Sequence, residues 1–344
     1  MYGENYGYRS GLNGSMVTHL NQKVKYLENM IELDSSDFVL DIGSNDATLL
    51  KAYIGNHKKI GIDPTGKYFQ EYYTDDIILI PDFFNKEVFV KNFSHQKAKI
   101  ITSIAMFYDL DDPRKFVKDI EFCLADDGVW HFEQSYMPSM LRTDSYDTIC
   151  HEHIEFYSLK VVKDLLESCN MKIIDVITNE VNGGSFSVTA SKTNSSYDVN
   201  TSIINWMLNR EKDLELSTTK PYFEFKKRIS YRKKHLVELI NSLNKSGKKV
   251  FGYGASTKGN VILQYCGLTS DQIPYIAEVN EKKFGSFTPG TLIPIISEKE
   301  AKAKNPDYFL VLPWHFKPYI LDREKDYITK GGKFIFPLPY IEII

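Results

Sequence analysis

The sequence predicts an α/β protein with two doubly wound domains, the second smaller than the first. Two observations support this fold class. Short apolar strands alternate with helical stretches from residue 37, and a second alternating series begins near residue 248. Strands separated by helices in this way are typical of a parallel sheet that is covered on both faces. A charged helical stretch between the two series marks the boundary between the domains.

The elements of the first series follow one another in regular order. Five short apolar segments are predicted as strands, and two further strands flank a loop and form an antiparallel edge. The predicted strands are Phe38–Ile42, Lys59–Asp63, Ile77–Ile80, Lys99–Ser103, Gly128–Glu133, Lys172–Val176 and Ser185–Ala190. The predicted helical stretches are Thr48–Tyr53, Pro113–Leu124, Leu159–Ser168 and the long connector Thr201–Leu243.

The second series supplies the smaller domain. Its predicted strands are Lys248–Ala255, Ile273–Glu278, Tyr308–Leu312 and Gly332–Phe336. We therefore divide the chain into three parts: an N-terminal helical segment with the first α/β domain at residues 1–200, a helical connector at 201–246, and a second Rossmann-like domain at 247–344.

Composition and charge exclude several classes of protein. The 344 residues are 42% hydrophobic and carry a net charge of -3, so there is no overall basic excess to attract nucleic acid or an acidic membrane. The chain lacks an apolar run of roughly 18 residues and an N-terminal signal pattern, so we expect a cytoplasmic protein. Its four cysteines never show C-x-x-C spacing, which predicts reduced thiols and no zinc within this chain.

A glycine turn follows the first predicted strand, in Asp41-Ile-Gly-Ser-Asn-Asp46. Glycine at position 43 lets the backbone approach a ligand, and the helix expected after it would present unpaired N–H groups. Asp63 stands about 20 residues further on, where nucleotide sites place an acceptor for ribose hydroxyls. The single glycine favours S-adenosylmethionine over NAD, which requires G-x-G-x-x-G. The residues predicted to bind this cofactor are Asp41, Gly43, Ser44, Asn45, Asp46, Asp63, Asp82, Phe83, Ser103 and Gln134.

Three of these residues end the next strands of the series. Asp82 and Phe83 would hydrogen-bond to the adenine and stack on it, and Ser103 would line the opposite wall. In the alternative interpretation, Phe83 belongs to the core and Asp82 caps the helix that begins near Asn85.

Beyond the fifth strand, Cys150-His-Glu-His153 follows at the carboxyl end of the predicted sheet. A neutral imidazole can remove a proton from carbon next to a ketone, because its ordinary pKa is about 6.5. His153 and Glu152 would then divide the roles of base and orienting partner. The two histidines could instead bind a metal or be satisfied within a loop, but no third metal ligand stands near them.

At this point the chain resembles a known family, the sugar C-methyltransferases that use S-adenosylmethionine and act on nucleotide-linked keto-deoxysugars. The resemblance covers nearly the whole chain. It rests on Tyr6-Gly-Tyr-Arg-Ser-Gly-Leu-Asn13, Ser15-Met16, His19-Leu20, Asp41-Ile-Gly-Ser-Asn-Asp46, His151-Glu-His153, Asn182-Gly-Gly-Ser-Phe186, Gly252-Tyr-Gly-Ala-Ser-Thr-Lys-Gly259, Ile276-Ala-Glu-Val-Asn280 and Phe287-Thr-Pro-Gly290. It implies a class I, Rossmann-like methyltransferase domain followed by a domain that helps to bind the nucleotide-sugar.

The resemblance also implies roles for individual residues. His153 would abstract the proton alpha to the sugar ketone, with Glu152 in the same pocket. The family has a tyrosine at the position of Cys150, so Tyr6, Tyr8 or Tyr146 would hydrogen-bond the oxyanion here, and we choose Tyr8. The family usually carries a cysteine-rich zinc module before the tyrosine-rich segment, and this chain either lacks that module or is truncated.

The second domain is predicted to hold the substrate. Gly252 to Asn260 follows a strand and opens a helix, so its N–H groups would seat a phosphate, with Lys258 adding a charge. A second dinucleotide site is the alternative, although its glycine spacing differs. Glu278 would accept hydroxyl groups or form a solvated strand end. The residues predicted to bind substrate are Tyr6, Asn13, Tyr146, His151, Asn182, Gly183, Tyr253, Ala255, Ser256, Lys258 and Glu278.

Together these features predict a methyltransferase of deoxysugar biosynthesis. The enzyme would use S-adenosylmethionine to methylate carbon alpha to the ketone of a nucleotide-diphosphate 4-keto-deoxysugar. The alternatives are an O- or N-methyltransferase of a nucleotide sugar, a non-catalytic nucleotide-sugar-binding protein, and an NAD-dependent oxidoreductase.

Overall fold

The computed structural model describes residues 8–344, which divide into two units, each with its own sheet. Both units draw on segments that are distant in the chain. The first comprises residues up to Tyr136, Ile154–Asn179 and Gly184–Asp213. The second comprises Met137–His153, Glu180–Gly183 and Leu214–Ile344.

The strands confirm the predicted series and add two short ones in the second unit. In the first unit they are β1 (Phe38–Ile42), β2 (Lys58–Ile62), β3 (Ile77–Ile80), β4 (Ala98–Ile104), β5 (Leu124–Ser135), β6 (Met171–Asn179) and β7 (Ser185–Lys192). In the second unit they are β8 (Val250–Tyr253), β9 (Ile276–Glu278), β10 (Ile295–Ser297), β11 (Tyr308–Val311), β12 (Lys333–Phe336) and β13 (Glu342–Ile343).

The α-helices, in chain order, are α1 (Gly14–Met30), α2 (Lys86–Phe93), α3 (Pro113–Cys123), α4 (Met137–Thr143), α5 (Leu159–Glu167), α6 (Thr201–Asp213), α7 (Lys220–Lys245), α8 (Thr257–Cys266), α9 (Glu298–Ala303), α10 (Lys317–Arg323) and α11 (Lys325–Thr329). Across residues 8–344, none of them combines the length and apolar character that crossing a membrane requires.

The first sheet has the order β3-β2-β1-β4-β5-β7-β6. Its first five strands run parallel, and β7 pairs antiparallel with both β5 and β6. The antiparallel edge was predicted from two strands that flank a short loop, and the structure confirms it. All five residues of β1 are buried, as expected for a central strand that is covered on both faces.

Aromatic side chains fill the core beside β5. The indole of Trp130 stacks on Phe132 with the ring centroids 4.2 Å apart, and Phe107 stacks on Tyr157 at 5.2 Å. Helix α3 adds Phe116 to this cluster. Because aromatic rings bury large apolar areas, this cluster fixes β5 and the segment that follows β4.

The segment after β1 differs from the prediction. The expected helix at Thr48–Tyr53 is a single 3₁₀ turn at Leu50–Ala52. Residues 43–47 curl tightly instead, because Asn45 and Ala47 have positive φ angles of 51° and 58°. No α-helix therefore begins directly after Gly43, and the N–H groups of a helix terminus are not the feature that would hold a ligand there.

The second sheet has the order β10-β9-β8-β11-β12-β13, parallel except for β13, which runs antiparallel to β12. Ser256 caps α8 by accepting a hydrogen bond from the Gly259 N–H. The helix ends where Gly267 adopts a left-handed φ of 68°. A strand, a turn and a helix in succession confirm the predicted second α/β domain.

Candidate functional site

The loop after β1 requires glycine at position 43. Gly43 has a φ of 74°, a conformation that other residues rarely adopt. Its N–H donates to the Ile62 carbonyl at 2.9 Å, which ties the loop to the end of β2. The backbone is thus shaped at the carboxyl ends of β1 and β2, where open α/β sheets bind their ligands.

Asp63 holds this loop in position. One carboxylate oxygen accepts the Asn45 N–H at 2.8 Å, and the other accepts the N–H and the hydroxyl of Thr65 at 2.7 and 2.6 Å. A carboxylate offers about four acceptor directions, so one is left for the ribose hydroxyl that the sequence predicts. Asp63 is both a brace for the loop and a candidate ligand contact.

Asn45 and Asp46 bind the segment that precedes α1. Asn45 accepts the Ser10 N–H at 3.0 Å, and Asp46 accepts the Gly11 N–H at 2.9 Å. A Cβ atom at Gly11 would lie 2.6 Å from the Asp46 carboxylate, so a larger residue here would displace that carboxylate. The sequence motifs at Tyr8–Asn13 and Asp41–Asp46 are therefore in direct contact.

Ser44 bonds to a residue that the sequence did not predict. The Tyr73 hydroxyl donates to the Asn45 carbonyl at 2.9 Å and lies 2.7 Å from the Ser44 hydroxyl. Gly61 makes room for this arrangement, because a Cβ atom there would approach the Ser44 oxygen to 2.5 Å. Gly61 was the available signal, since glycine inside a strand often marks a close approach.

Two predicted cofactor residues bond to the protein core. Asp41 is 4% exposed and accepts a hydrogen bond from the Thr102 hydroxyl at 2.6 Å. Burial and the nearby Asp63 charge raise the pKa of Asp41 to about 7, although the Thr102 bond opposes them. Ser103 is fully buried and accepts the Trp130 indole N–H at 3.0 Å.

Of the remaining predicted cofactor residues, Phe83 presents an exposed ring and Gln134 a buried amide without a hydrogen-bond partner in the described residues. Phe83 is 60% exposed just beyond β3, so the interpretation of Phe83 as a core residue is wrong. Asn85, not Asp82, caps α2, and Asp82 accepts the Phe83 N–H instead. Gln134 is 1% exposed, and neither atom of its amide has a hydrogen-bond partner within residues 8–344. Since buried polar groups are nearly always bonded, Gln134 points to a ligand or water.

These residues fit S-adenosylmethionine. The Gly43 loop provides backbone that can approach the cofactor closely. Asp63 retains an acceptor direction, Phe83 presents an aromatic face, and Gln134 provides an unpaired amide. When bound, the cofactor supplies an electrophilic methyl group.

A buried charged cluster inside the first unit was not predicted. Glu133 accepts from the Lys23 ammonium at 2.6 Å and from the Ser187 hydroxyl at 2.7 Å, and it lies 2.7 Å from His19 Nε2. Burial alone would raise the pKa of Glu133, but the His19 hydrogen bond and the Lys23 charge hold it well below its ordinary value.

The second unit carries His153. Its Nδ1 lies 2.9 Å from the Thr148 carbonyl, which can only accept, so Nδ1 carries the proton. In the neutral imidazole the lone pair therefore resides on Nε2. Burial and the Lys258 charge lower the pKa of His153 to about 4. At neutral pH the ring is uncharged, which is the form that a base requires.

Lys258 is placed at the start of α8. Its ammonium donates to the Asn182 carbonyl at 2.9 Å. Burial lowers the pKa of Lys258, and the charge of Asp147 opposes this shift. Cys150 and Glu152 are partly buried and His151 is exposed. Burial raises the pKa of the Cys150 thiol, so this side chain is a neutral thiol at neutral pH.

Several predicted substrate residues have structural partners. Tyr146 is 3% exposed, with its hydroxyl 3.5 Å from the Cys266 sulfur. Asn13 caps α1, and Tyr253 donates to Glu324 at 2.9 Å. Tyr8 is 47% exposed, and the predicted Tyr6 lies outside the described residues.

Side chains already accept hydrogen bonds from two N–H groups of the Gly252–Asn260 segment, those of Ala255 and Gly259. Glu278 accepts the N–H of Ala255 at 2.7 Å and those of Val279 and Asn280 at 2.8 and 2.9 Å. Ser256 accepts from Gly259 at 3.0 Å. Glu278 thus braces the turn that leads to Lys258. In the described part of the chain, no group of three His, Cys, Asp or Glu side chains is arranged to hold a metal ion.

Family models and known proteins match this chain. A model described as a methyltransferase domain matches residues 18–176, and one described as a C-methyltransferase C-terminal domain matches residues 180–339. The C-methyltransferase NovU of Streptomyces niveus is 31% identical over 341 residues, which are 98% of this chain and 81% of that protein.

Solved structures also match. An S-adenosylmethionine-dependent methyltransferase from Clostridium acetobutylicum has 13% identity over 51% of this chain and 92% of its own, with a TM-score of 0.40. The plantazolicin methyltransferase BpumL, in complex with a triazolic desmethylPZN analog and SAH, has 11% identity over 53% of this chain and 87% of its own, with a TM-score of 0.42.

The sheet order and the family match define a class I, Rossmann-like methyltransferase that uses S-adenosylmethionine. The similarity to NovU identifies the particular family: this chain belongs to the C-methyltransferases. It is therefore an enzyme that transfers the methyl group to carbon.

We expect Phe83→Ala to weaken the binding of S-adenosylhomocysteine by about 1–3 kcal/mol, the range found for stacking of a base on an aromatic ring. The measurement is titration calorimetry. Trp206→Ala is the matched control, since Trp206 is 59% exposed on α6 of the same unit. Equal affinities for the Phe83 variant and the unchanged protein would remove Phe83 from the cofactor site.

Proposed function

We propose that this enzyme methylates the carbon alpha to the ketone of a nucleotide-diphosphate 4-keto-deoxysugar, as a step of deoxysugar biosynthesis. The observation that carries the proposal is His153, a neutral imidazole whose tautomer is set by the Thr148 carbonyl. A base is needed for methylation at carbon, because a carbon-bound hydrogen must leave before the carbon can act as a nucleophile.

His153 Nε2 accepts the proton in the first step. The C–H bond alpha to the ketone breaks, and its electron pair moves so that negative charge develops on the ketone oxygen. The resulting enolate carbon would then bond to the methyl group as the bond from that group to the sulfonium sulfur of S-adenosylmethionine breaks, with its electron pair going to sulfur and S-adenosylhomocysteine leaving. The hydrogen bond from Nδ1 to Thr148 keeps the ring oriented and stabilises the imidazolium that forms. Glu152 keeps its predicted place in the pocket of His153, whereas the oxyanion role predicted for Tyr8 passes in this proposal to Lys258, a residue of the same unit as His153.

Lys258 is the group that we assign to the enolate oxygen. Its ammonium has three N–H donors, and the Asn182 carbonyl takes one of them. The Cys150 thiol is a weak donor, and the Tyr146 hydroxyl is directed to the Cys266 sulfur. A buried cation stabilises a developing oxyanion more strongly than it would in water.

The nucleotide-sugar part of the proposal rests on the motifs that resemble the sugar C-methyltransferases and on the second α/β unit. We assign Asn182, Gly183 and Lys258 to contacts with the sugar. Glu278 and Ser256 hold the turn that positions Lys258. The methyl donor is assigned to the predicted cofactor-binding residues of the first unit.

Deuterium exchange tests the proposal. The enzyme is incubated in deuterated water with dTDP-, GDP- and CDP-linked 4-keto-deoxysugars and no methyl donor. We expect one of these sugars to gain deuterium at the alpha carbon, as detected by mass spectrometry. Adding S-adenosylmethionine should then place a methyl group on that carbon. Methyl transfer to oxygen or nitrogen of the sugar without any exchange would contradict the proposal.

A further inference from the structure

Three short segments of the second unit meet beside Lys258. The Trp314 indole N–H donates to Asp147 Oδ2 at 2.8 Å, which joins the segment Trp314–Phe316 to the segment Tyr146–Thr148. Lys258 donates to the Asn182 carbonyl of the third segment. A Cβ atom at Gly183 would lie 3.2 Å from the Trp314 ring, so this backbone packs against the indole.

Two buried polar atoms in this cluster lack a partner. Within residues 8–344, neither Asp147 Oδ1 nor His315 Nδ1 has a hydrogen bond. Asp147 is only 1% exposed, so bulk water does not solvate its carboxyl group. An unsatisfied buried group is costly and uncommon, and two of them around one lysine indicate a ligand that completes the hydrogen bonds.

The protonation states of His315 and Asp147 indicate which type of ligand this cluster would bind. Burial and the Lys258 charge lower the pKa of His315 to about 3, so its imidazole is neutral at neutral pH. Burial raises the pKa of Asp147, although Lys258 and the Trp314 hydrogen bond oppose the shift. A carboxyl group and a neutral imidazole both bond well to hydroxyl groups, whereas an ionised carboxylate repels phosphate.

Lys258 connects this cluster to the base. Its charge shifts the pKa values of Asp147, His315 and His153, so all three groups are within electrostatic range of one ammonium in the same unit. A sugar ring whose ketone is bonded to Lys258 would bring its other polar substituents toward the unpaired atoms.

We propose that Asp147 Oδ1 and His315 Nδ1 bind hydroxyl groups of the sugar ring and thereby determine which sugar the enzyme accepts. This inference rests on the proposed function, because it takes a nucleotide-linked sugar as the ligand. Neither residue was predicted from the sequence. Asp147 would accept from one hydroxyl and His315 would bond to another.

Binding to non-reacting nucleotide sugars tests this inference without catalysis. Calorimetry compares dTDP-glucose with dTDP, GDP-mannose with GDP, and CDP-glucose with CDP. For at least one pair, the unchanged enzyme should bind the sugar-bearing nucleotide about 10-fold or more tighter, as expected for two hydrogen bonds to buried groups. Asp147→Asn and His315→Phe should each remove most of that preference while leaving the affinity for the free nucleotide unchanged.

Asp271→Asn and His235→Phe serve as matched controls, since both side chains are exposed in the same unit. The inference is overturned if no pair shows a preference for the sugar, or if both cluster variants retain it. If Asp147→Asn fails to fold, His315→Phe alone decides. A hydroxyl preference without deuterium exchange on any keto-sugar would preserve this subsite and reject the proposed reaction, so the two failures are distinguishable.

Discussion

Replacing His153 by asparagine is expected to lower deuterium exchange and methyl transfer together, by about 10²–10⁴-fold in rate, the usual contribution of a positioned acid or base. Asparagine can still donate its amide N–H to the Thr148 carbonyl, so the loop should keep its shape. It has no basic nitrogen to accept a proton from carbon. Single-turnover assays at saturating substrate separate this loss from any change in binding.

The His153 variant should still bind S-adenosylhomocysteine with unchanged affinity, because the cofactor residues belong to other elements. His235→Asn is the matched control, since His235 is exposed on α7 of the same unit. It should behave like the unchanged enzyme. A His153 variant that exchanges deuterium at the normal rate would show that another group is the base.

The pH dependence of activity provides a second test of His153 as the base. His153 must be neutral to accept a proton, and its pKa of about 4 places the loss of activity at the acidic end of the profile. The charge of Lys258 contributes to this low value, after burial. Lys258→Met should therefore raise the pKa of His153 and move the acidic limb of the profile to higher pH. A limb that does not move would mean that the titrating group is not His153.

The fold could be predicted because its strands are runs of apolar residues, as expected for a sheet that helices cover. Ile77–Ile80 was predicted with both ends correct, and the antiparallel pair β6 and β7 followed from two strands around a short loop. The short strands β10 and β13 were missed, since three and two residues are too few to show a period. A sequence pattern predicts a helix or strand only where the element is long enough for the pattern to repeat.

The candidate site was less predictable, because its contacts join distant parts of the chain. The glycine turn at Gly43 was visible, but the left-handed conformations of Asn45 and Ala47 replace the helix that was expected after it. The use of Asp63 as a brace for Asn45 depends on two strands being neighbours in the sheet. Side chains that hold loops and side chains that hold ligands look alike in a sequence.

The buried cluster around Glu133 is the clearest case, since His19 stands 114 positions from its partner. In the structure, the side chains of Lys23 and Glu133 are 8% and 4% exposed and 2.6 Å apart. Such a pair costs desolvation energy when it forms, but breaking it leaves a buried charge without compensation. The cluster joins α1 to β5, and Ser187 and Asn179 extend it to the antiparallel edge.

Glu133→Gln is therefore expected to lower the free energy of unfolding of the first unit by about 3–5 kcal/mol, the range for removing one partner of a buried ion pair. Urea denaturation measures the loss. Asp126→Asn is the control, because Asp126 is 97% exposed in its pair with Lys192, and this substitution should cost under about 1 kcal/mol.

The stability lost in Glu133→Gln should shrink as pH rises. Burial already lowers the pKa of Lys23 in the folded protein, and deprotonation of Lys23 removes the charge that the substitution leaves unpaired. Adding Lys23→Met to Glu133→Gln should likewise recover part of the stability. If the double variant is as unstable as the sum of the two single variants, the side chains act independently and the buried pair is not what holds α1 to the sheet.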